Sequence, residues 1–71
     1  IKGVTMQINK YYNVKDESNI YSNFNVKIIE IRKNKDFLGQ TEYGHIYNFR
    51  SEYNYKITEI TKKEWSNNGL L

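Results

Sequence analysis

A chain of 71 residues with neither cysteine nor proline leaves room for one domain, and it excludes both a disulfide framework and a thiolate zinc centre. Eleven basic against eight acidic side chains give a formal charge of +3, a mild attraction to polyanions that falls short of a nucleic-acid-binding signature. No apolar run is long enough to span a bilayer and the N-terminus lacks the apolar core of a signal peptide. The chain therefore reads as soluble and cytoplasmic, with a secreted, processed form as the alternative because Ile1 stands where an initiator methionine is expected.

Residues 3–9, GVTMQIN, alternate Val4, Met6 and Ile8 against Thr5, Gln7 and Asn9, which predicts a half-buried strand. Residues 10–23 lose that period, carry turn-forming Asn, Asp and Ser, and hold Tyr11, Tyr12 and Tyr21; they read as a long loop. Residues 24–33, FNVKIIEIRK, are the densest in β-branched side chains and form the expected central strand. Phe24, Val26 and Ile28 share one face whereas Ile29 and Ile31 share the other. A bulge near Ile28 and Ile29 would bend the strand so that both halves point inward.

Residues 33–40 contain Asn34, Asp36 and Gly39 and read as a hairpin connection. From 41 to 49 Tyr43, His45, Tyr47 and Phe49 alternate with Glu42, Gly44, Ile46 and Asn48, a third strand, and after a tight turn residues 53–60 make a fourth. There the apolar phase shifts between Ile57 and Ile60, which predicts a second bend. Thr61 to Glu64 match a capping box and open a short helical turn that sets Trp65 against the end of the fold; residues 69–71 suit one brief edge strand. The expected core is Val4, Met6, Ile8, Val26, Ile28, Ile29, Ile31, Ile46, Phe49, Tyr55, Ile57, Ile60 and Trp65.

A strand, a long loop, three hairpin-connected strands, a helical turn and a short last segment resemble the layout of SH3-like barrels. The expected fold is thus mainly β, a small antiparallel five-stranded barrel of SH3-like kind with one short C-terminal helical turn, an OB-like barrel being the alternative. Signalling SH3 domains carry an ALYDY-like run, paired tryptophans and a Pro-Tyr that this chain lacks, so their proline-rich ligand groove does not transfer. Residues 41–47, TEYGHIY, resemble the RNP1 run of RNA-binding sheets, with Tyr43, Gly44 and Ile46 in place and Glu42 where a phosphate-attracting residue would help.

His45 is the one histidine, and Glu42, three residues away on a strand, projects to the opposite face, so the pair does not make a local acid-base couple. The sequence holds no glycine-rich phosphate loop, nucleophile elbow or Cys/His metal constellation, and it calls for no cofactor. The expectation is a non-enzymatic binding module, a small protein-binding adaptor or inhibitor like those of phages and mobile elements, with Tyr11, Tyr12 and Tyr21 as contact residues. The alternative is a single-stranded RNA- or DNA-binding barrel that uses Tyr43, His45 and Tyr47 with Arg32, Lys33 and Lys35. A small nuclease built on His45 with Glu30 or Glu52 comes third, and so small a core also leaves a place for homo-oligomers.

Overall fold

A computed structural model describes residues 5–19 and 21–66. In chain order the elements are β1 (Tyr11–Asp16), β2 (Asn23–Ile31), β3 (Phe37–Gln40), β4 (Ile46–Phe49), β5 (Tyr55–Ile60) and α1 (Lys62–Ser66). The strands make one antiparallel sheet in the order β4-β3-β2-β1-β5. Among the described residues the expected closure into a barrel is not made by backbone pairing, since β4 and β5 are the two edges of an open sheet.

What curls this sheet is β2. Residues 23–27 pair with β1, residues 27–31 pair with β3, and the register against β3 slips between Ile28 and Glu30. The predicted bulge is therefore present, and it brings Ile31 back onto the face shared by Val26 and Ile28. A reach argument shows how strongly the sheet bends. Laid flat, the end of β4 and the start of β5 would lie about 19 Å apart across the strands and about 26 Å apart along them. Residues 50–54 bridge at most about 20 Å when fully extended, and they are shortened further by a turn in which Tyr53 N–H donates to the Arg50 carbonyl at 3.2 Å. The two halves must fold over each other about the bulge, and the Phe49 and Tyr55 rings meet edge to face across the gap with centroids 5.7 Å apart.

The core lies between the halves. Tyr12, Val14, Val26, Ile28, Phe37, Phe49 and Ile57 are buried, and Met6, Phe24, Ile31 and Tyr55 pack around them. Phe37 stacks on Phe49 with centroids 4.9 Å apart. Gly39 leaves no room for a side chain: a Cβ there would lie 2.6 Å from Val26 Cγ2 and 3.1 Å from Phe49 Cε2, so the absence of one lets side chains of β2 and β4 approach across β3.

Two hairpins of the same design connect β2, β3 and β4. In each the first residue receives a bond from the fourth and donates to the fifth, Arg32 with Lys35 and Asp36, and Thr41 with Gly44 and His45. The fourth position of such a loop takes the left-handed conformation, which Gly44 adopts without cost at φ 90° and Lys35 adopts at φ 77°.

These placements correct the predicted element map. Residues 5–9 form no strand; Gln7 and Lys10 close a turn in which Asn9 has φ 71°, and Ile8 is exposed. The first strand lies instead in the segment expected to be a loop, because Tyr12 and Val14 bury themselves while Asn13 and Lys15 face outward. Residues 37–40 are a strand and residues 41–45 a hairpin, the reverse of the expected assignment. Ile46 lies outside the core for the same reason. No second bend interrupts β5, whose register with β1 runs unbroken from Tyr11 opposite Ile60 to Asp16 opposite Tyr55. Val4 and the proposed strand at 69–71 lie outside the described residues.

The capping box forms as predicted. Thr61 N–H donates to Glu64 Oε1 at 2.9 Å and Glu64 N–H donates to Thr61 Oγ1 at 3.1 Å. This fixes α1 so that Trp65 packs on Tyr11 with ring centroids 5.1 Å apart, and its indole N–H donates to the Gln40 carbonyl at 3.0 Å.

Candidate binding surfaces

The aromatic stripe expected on one strand is divided by the fold. Tyr43 and His45 belong to the turn, while Tyr47 and Phe49 sit on the inner face of β4. Tyr47 stacks on Phe24 with centroids 4.4 Å apart, a contact between β2 and β4 that crosses β3 near Gly39. Phe24, Phe49, Tyr55 and Tyr53 continue the row, with successive centroids between 5.7 and 6.4 Å. One aromatic wall thus runs along the open seam, buried at Phe49 and emerging at Tyr47 and Tyr53, which are 37% and 45% exposed.

Beside that wall runs the outer edge of β4. Because Thr41 N–H bonds to the His45 carbonyl, the alternation of an antiparallel ladder turns Tyr47 and Phe49 toward β3 and leaves the backbone groups of Ile46 and Asn48 directed away from it. Among the described residues no strand pairs with that edge. Residues 45–49, HIYNF, carry no lysine, proline or carboxylate of the kind that blunts an edge. Ile46 is 55% exposed on the outer side.

The tyrosines expected to bind a protein fall into three different environments. Tyr12 is 1% exposed, and its hydroxyl accepts the Gln7 N–H at 3.0 Å, so it is a core residue and not a contact residue. Tyr11 is half-buried beneath Trp65. Tyr21 is 86% exposed in the loop between β1 and β2, whose shape is held by Asn19 Oδ1 accepting the Tyr21 N–H at 3.0 Å.

The residues expected to bind nucleic acid are not brought together. Arg32, Lys33 and Lys35 lie in the hairpin before β3, whereas Tyr43 and His45 lie in the hairpin after it. A four-residue strand separates them, about 13 Å. Arg32 is paired with Glu30 at 3.1 Å, and Tyr43 is hydrogen-bonded to Glu42, whose carboxylate holds the phenol above its usual pKa. The nuclease grouping is scattered in the same way: Glu30 binds Arg32, Glu52 binds Arg50 at 3.3 Å, and neither lies on the hairpin that carries His45.

Residues 50–54 act as the junction of the loops. Asp36 Oδ1 accepts the Ser51 N–H at 2.8 Å, Ser51 Oγ donates to the Asn34 carbonyl at 2.9 Å, and Glu17 N–H donates to the Asn54 carbonyl at 3.1 Å. The Ser51 amide is the main reason that the Asp36 carboxyl lies below its ordinary pKa, with Ser51 and Asn34 side-chain bonds and the Arg50 charge adding to it against partial desolvation. Sequence reasoning missed Tyr53 and Phe24 as members of the exposed wall; the alternation of Tyr53 with Tyr55 was the one signal that pointed there.

A scan against protein-family models finds no match to this chain, and searches of curated proteins and of solved structures return no similar protein.

Proposed function

We propose that the chain is a non-enzymatic binding module, an SH3-like open barrel serving as an adaptor or inhibitor, and that its partner is another protein which lays an extended segment along the outer edge of β4. The observation that carries this reading is the combination of outward backbone groups at Ile46 and Asn48 with exposed Ile46 and Tyr47 side chains on alternate faces. Strand addition needs both: main-chain bonds supply affinity, and alternating side chains supply specificity. The uncharged edge also favours a protein segment over a polyanion.

Asn48→Pro tests the proposal, because proline is tolerated at an edge position whose N–H faces outward, yet it removes the donor that an added strand requires. Peptides selected from a random display library on the wild-type chain should move the β4 amide resonances and lose at least about tenfold in affinity for the variant, one lost hydrogen bond plus a steric block. Selected peptides that bind both proteins alike and leave β4 undisturbed would remove the reading.

A further inference from the structure

The register places nine side chains on the face of β5, β1 and β2 away from the core, in three cross-strand rows: Ile60, Tyr11 and Lys27, half-buried at the end where Trp65 of α1 packs on Tyr11 and bonds the Gln40 carbonyl; Thr58, Asn13 and Asn25; and Lys56, Lys15 and Asn23, all three exposed. No carboxylate is among them. Lys15, Lys27 and Lys56 equal in number the whole excess of basic over acidic residues in the chain, 11 against 8. Among the described residues none of the three is ion-paired, which is true also of Lys33, Lys35, Lys62 and Lys63, whereas Lys10, Arg32 and Arg50 each have a carboxylate partner.

Two features set this face apart from an ordinary solvated one. Lys15 and Lys56 stand directly opposite each other, and like charges in that position destabilise a sheet. Edge protection accounts for Lys56 on β5 but not for Lys15 and Lys27, which lie on inner strands with no edge to guard. Between the lysines the Asn13 amide donates to Asn23 Oδ1 at 2.7 Å and to Asn25 Oδ1 at 2.8 Å. Those bonds occupy the acceptors and leave the amide nitrogens of Asn23 and Asn25 to donate, so the face offers cations and donors together.

We propose that this face docks the phosphate backbone of a single-stranded nucleic acid, independently of the β4 edge. It is two strand spacings wide, about 10 Å, which suits one strand, and its three lysines meet phosphates without reading bases. Binding is therefore sequence-tolerant and strongly salt-dependent.

The test is fluorescence anisotropy of the full chain with a labelled thymidine oligonucleotide of about a dozen nucleotides, titrated between about 20 and 150 mM salt. Three neutralised phosphates predict a log–log slope near −2 and a roughly fiftyfold weakening across that range. Lys15→Gln, Lys27→Gln and Lys56→Gln combined should bring the slope near zero, while Lys33→Gln with Lys35→Gln leaves it unchanged. Lys56→Glu supplies the second readout: it places opposite charges across the Lys15 pair, so its denaturation midpoint should rise as binding falls. A slope that survives the triple variant, absence of binding at the lowest salt, or tighter binding of a sulfated polysaccharide of matched charge would each overturn the proposal.

Discussion

Replacing Gly39 with alanine adds one methyl group at the point where β2 and β4 meet across β3. Its carbon would lie 2.6 Å from Val26 Cγ2, 2.7 Å from Val26 Cβ and 3.1 Å from Phe49 Cε2, and Val26 is fully buried on a central strand, so neither neighbour is the free end of a flexible chain. Two effects oppose each other. Alanine restricts the unfolded chain and by itself would stabilise by about 0.4–1 kcal/mol. Overpacking costs about 1–3 kcal/mol, and contacts this short belong in the upper part of that range. The clash wins, with a net loss of about 1–2 kcal/mol. In urea, with m about 1 kcal/mol/M for so small a chain, the midpoint should fall by about 1–2 M, followed by Trp65 fluorescence and far-UV circular dichroism together. Adding Val26→Ala should partly relieve the clash, giving a coupling of at least about 0.5 kcal/mol. A Gly39→Ala midpoint equal to or above wild type, or strictly additive losses in the double variant, would refute the claim that this glycine exists for close approach.

Lys35→Gly should raise stability by about 0.5–1 kcal/mol in the same urea assay, because it relieves the left-handed backbone at φ 77° and gives back only part of that gain as unfolded-chain entropy. Thr41→Val should stabilise by about 1 kcal/mol, since Thr41 Oγ1 is buried with no partner among the described residues and valine keeps the branched shape. For Asp36 the folded pKa is depressed, so its contribution is present above the unfolded value of about 3.9 and is lost as the pH falls through that value toward the lower folded one. The wild-type midpoint should therefore drop more steeply than that of Asp36→Asn between about pH 4 and pH 2; parallel profiles would show that the bond to Ser51 contributes nothing.

The parts of this fold that could be read from the sequence are those decided within a few residues. The bulge in β2 shows itself because Val26, Ile28 and Ile31 cannot share a face without an extra residue, and the capping box at Thr61 and Glu64 is a purely local exchange of bonds. Elsewhere the local signal pointed the wrong way. Gly39 looks like turn chemistry, yet it lies in β3 because the rings beside it need the space; Lys35 holds the left-handed turn position where glycine or asparagine is expected. Asn13 and Asp16 masked β1, although Tyr12 and Val14 carry its core face. The surfaces were less legible still. Tyr47 was found by alternation alone, but the lysine face exists only once the pairings of Lys15 with Lys56 and of Tyr11 with Lys27 are known, and no one-dimensional pattern contains them.

That β2 serves both halves at once has a topological consequence. A nick by a protease, or a fusion junction placed within residues 23–31, would orphan β1 and β5 on one side and β3 and β4 on the other, leaving each with a raw hydrophobic surface. The five described strands share one core, so the amides paired within the sheet should exchange through a single opening event, while the outward edge amides of Ile46 and Asn48 exchange freely.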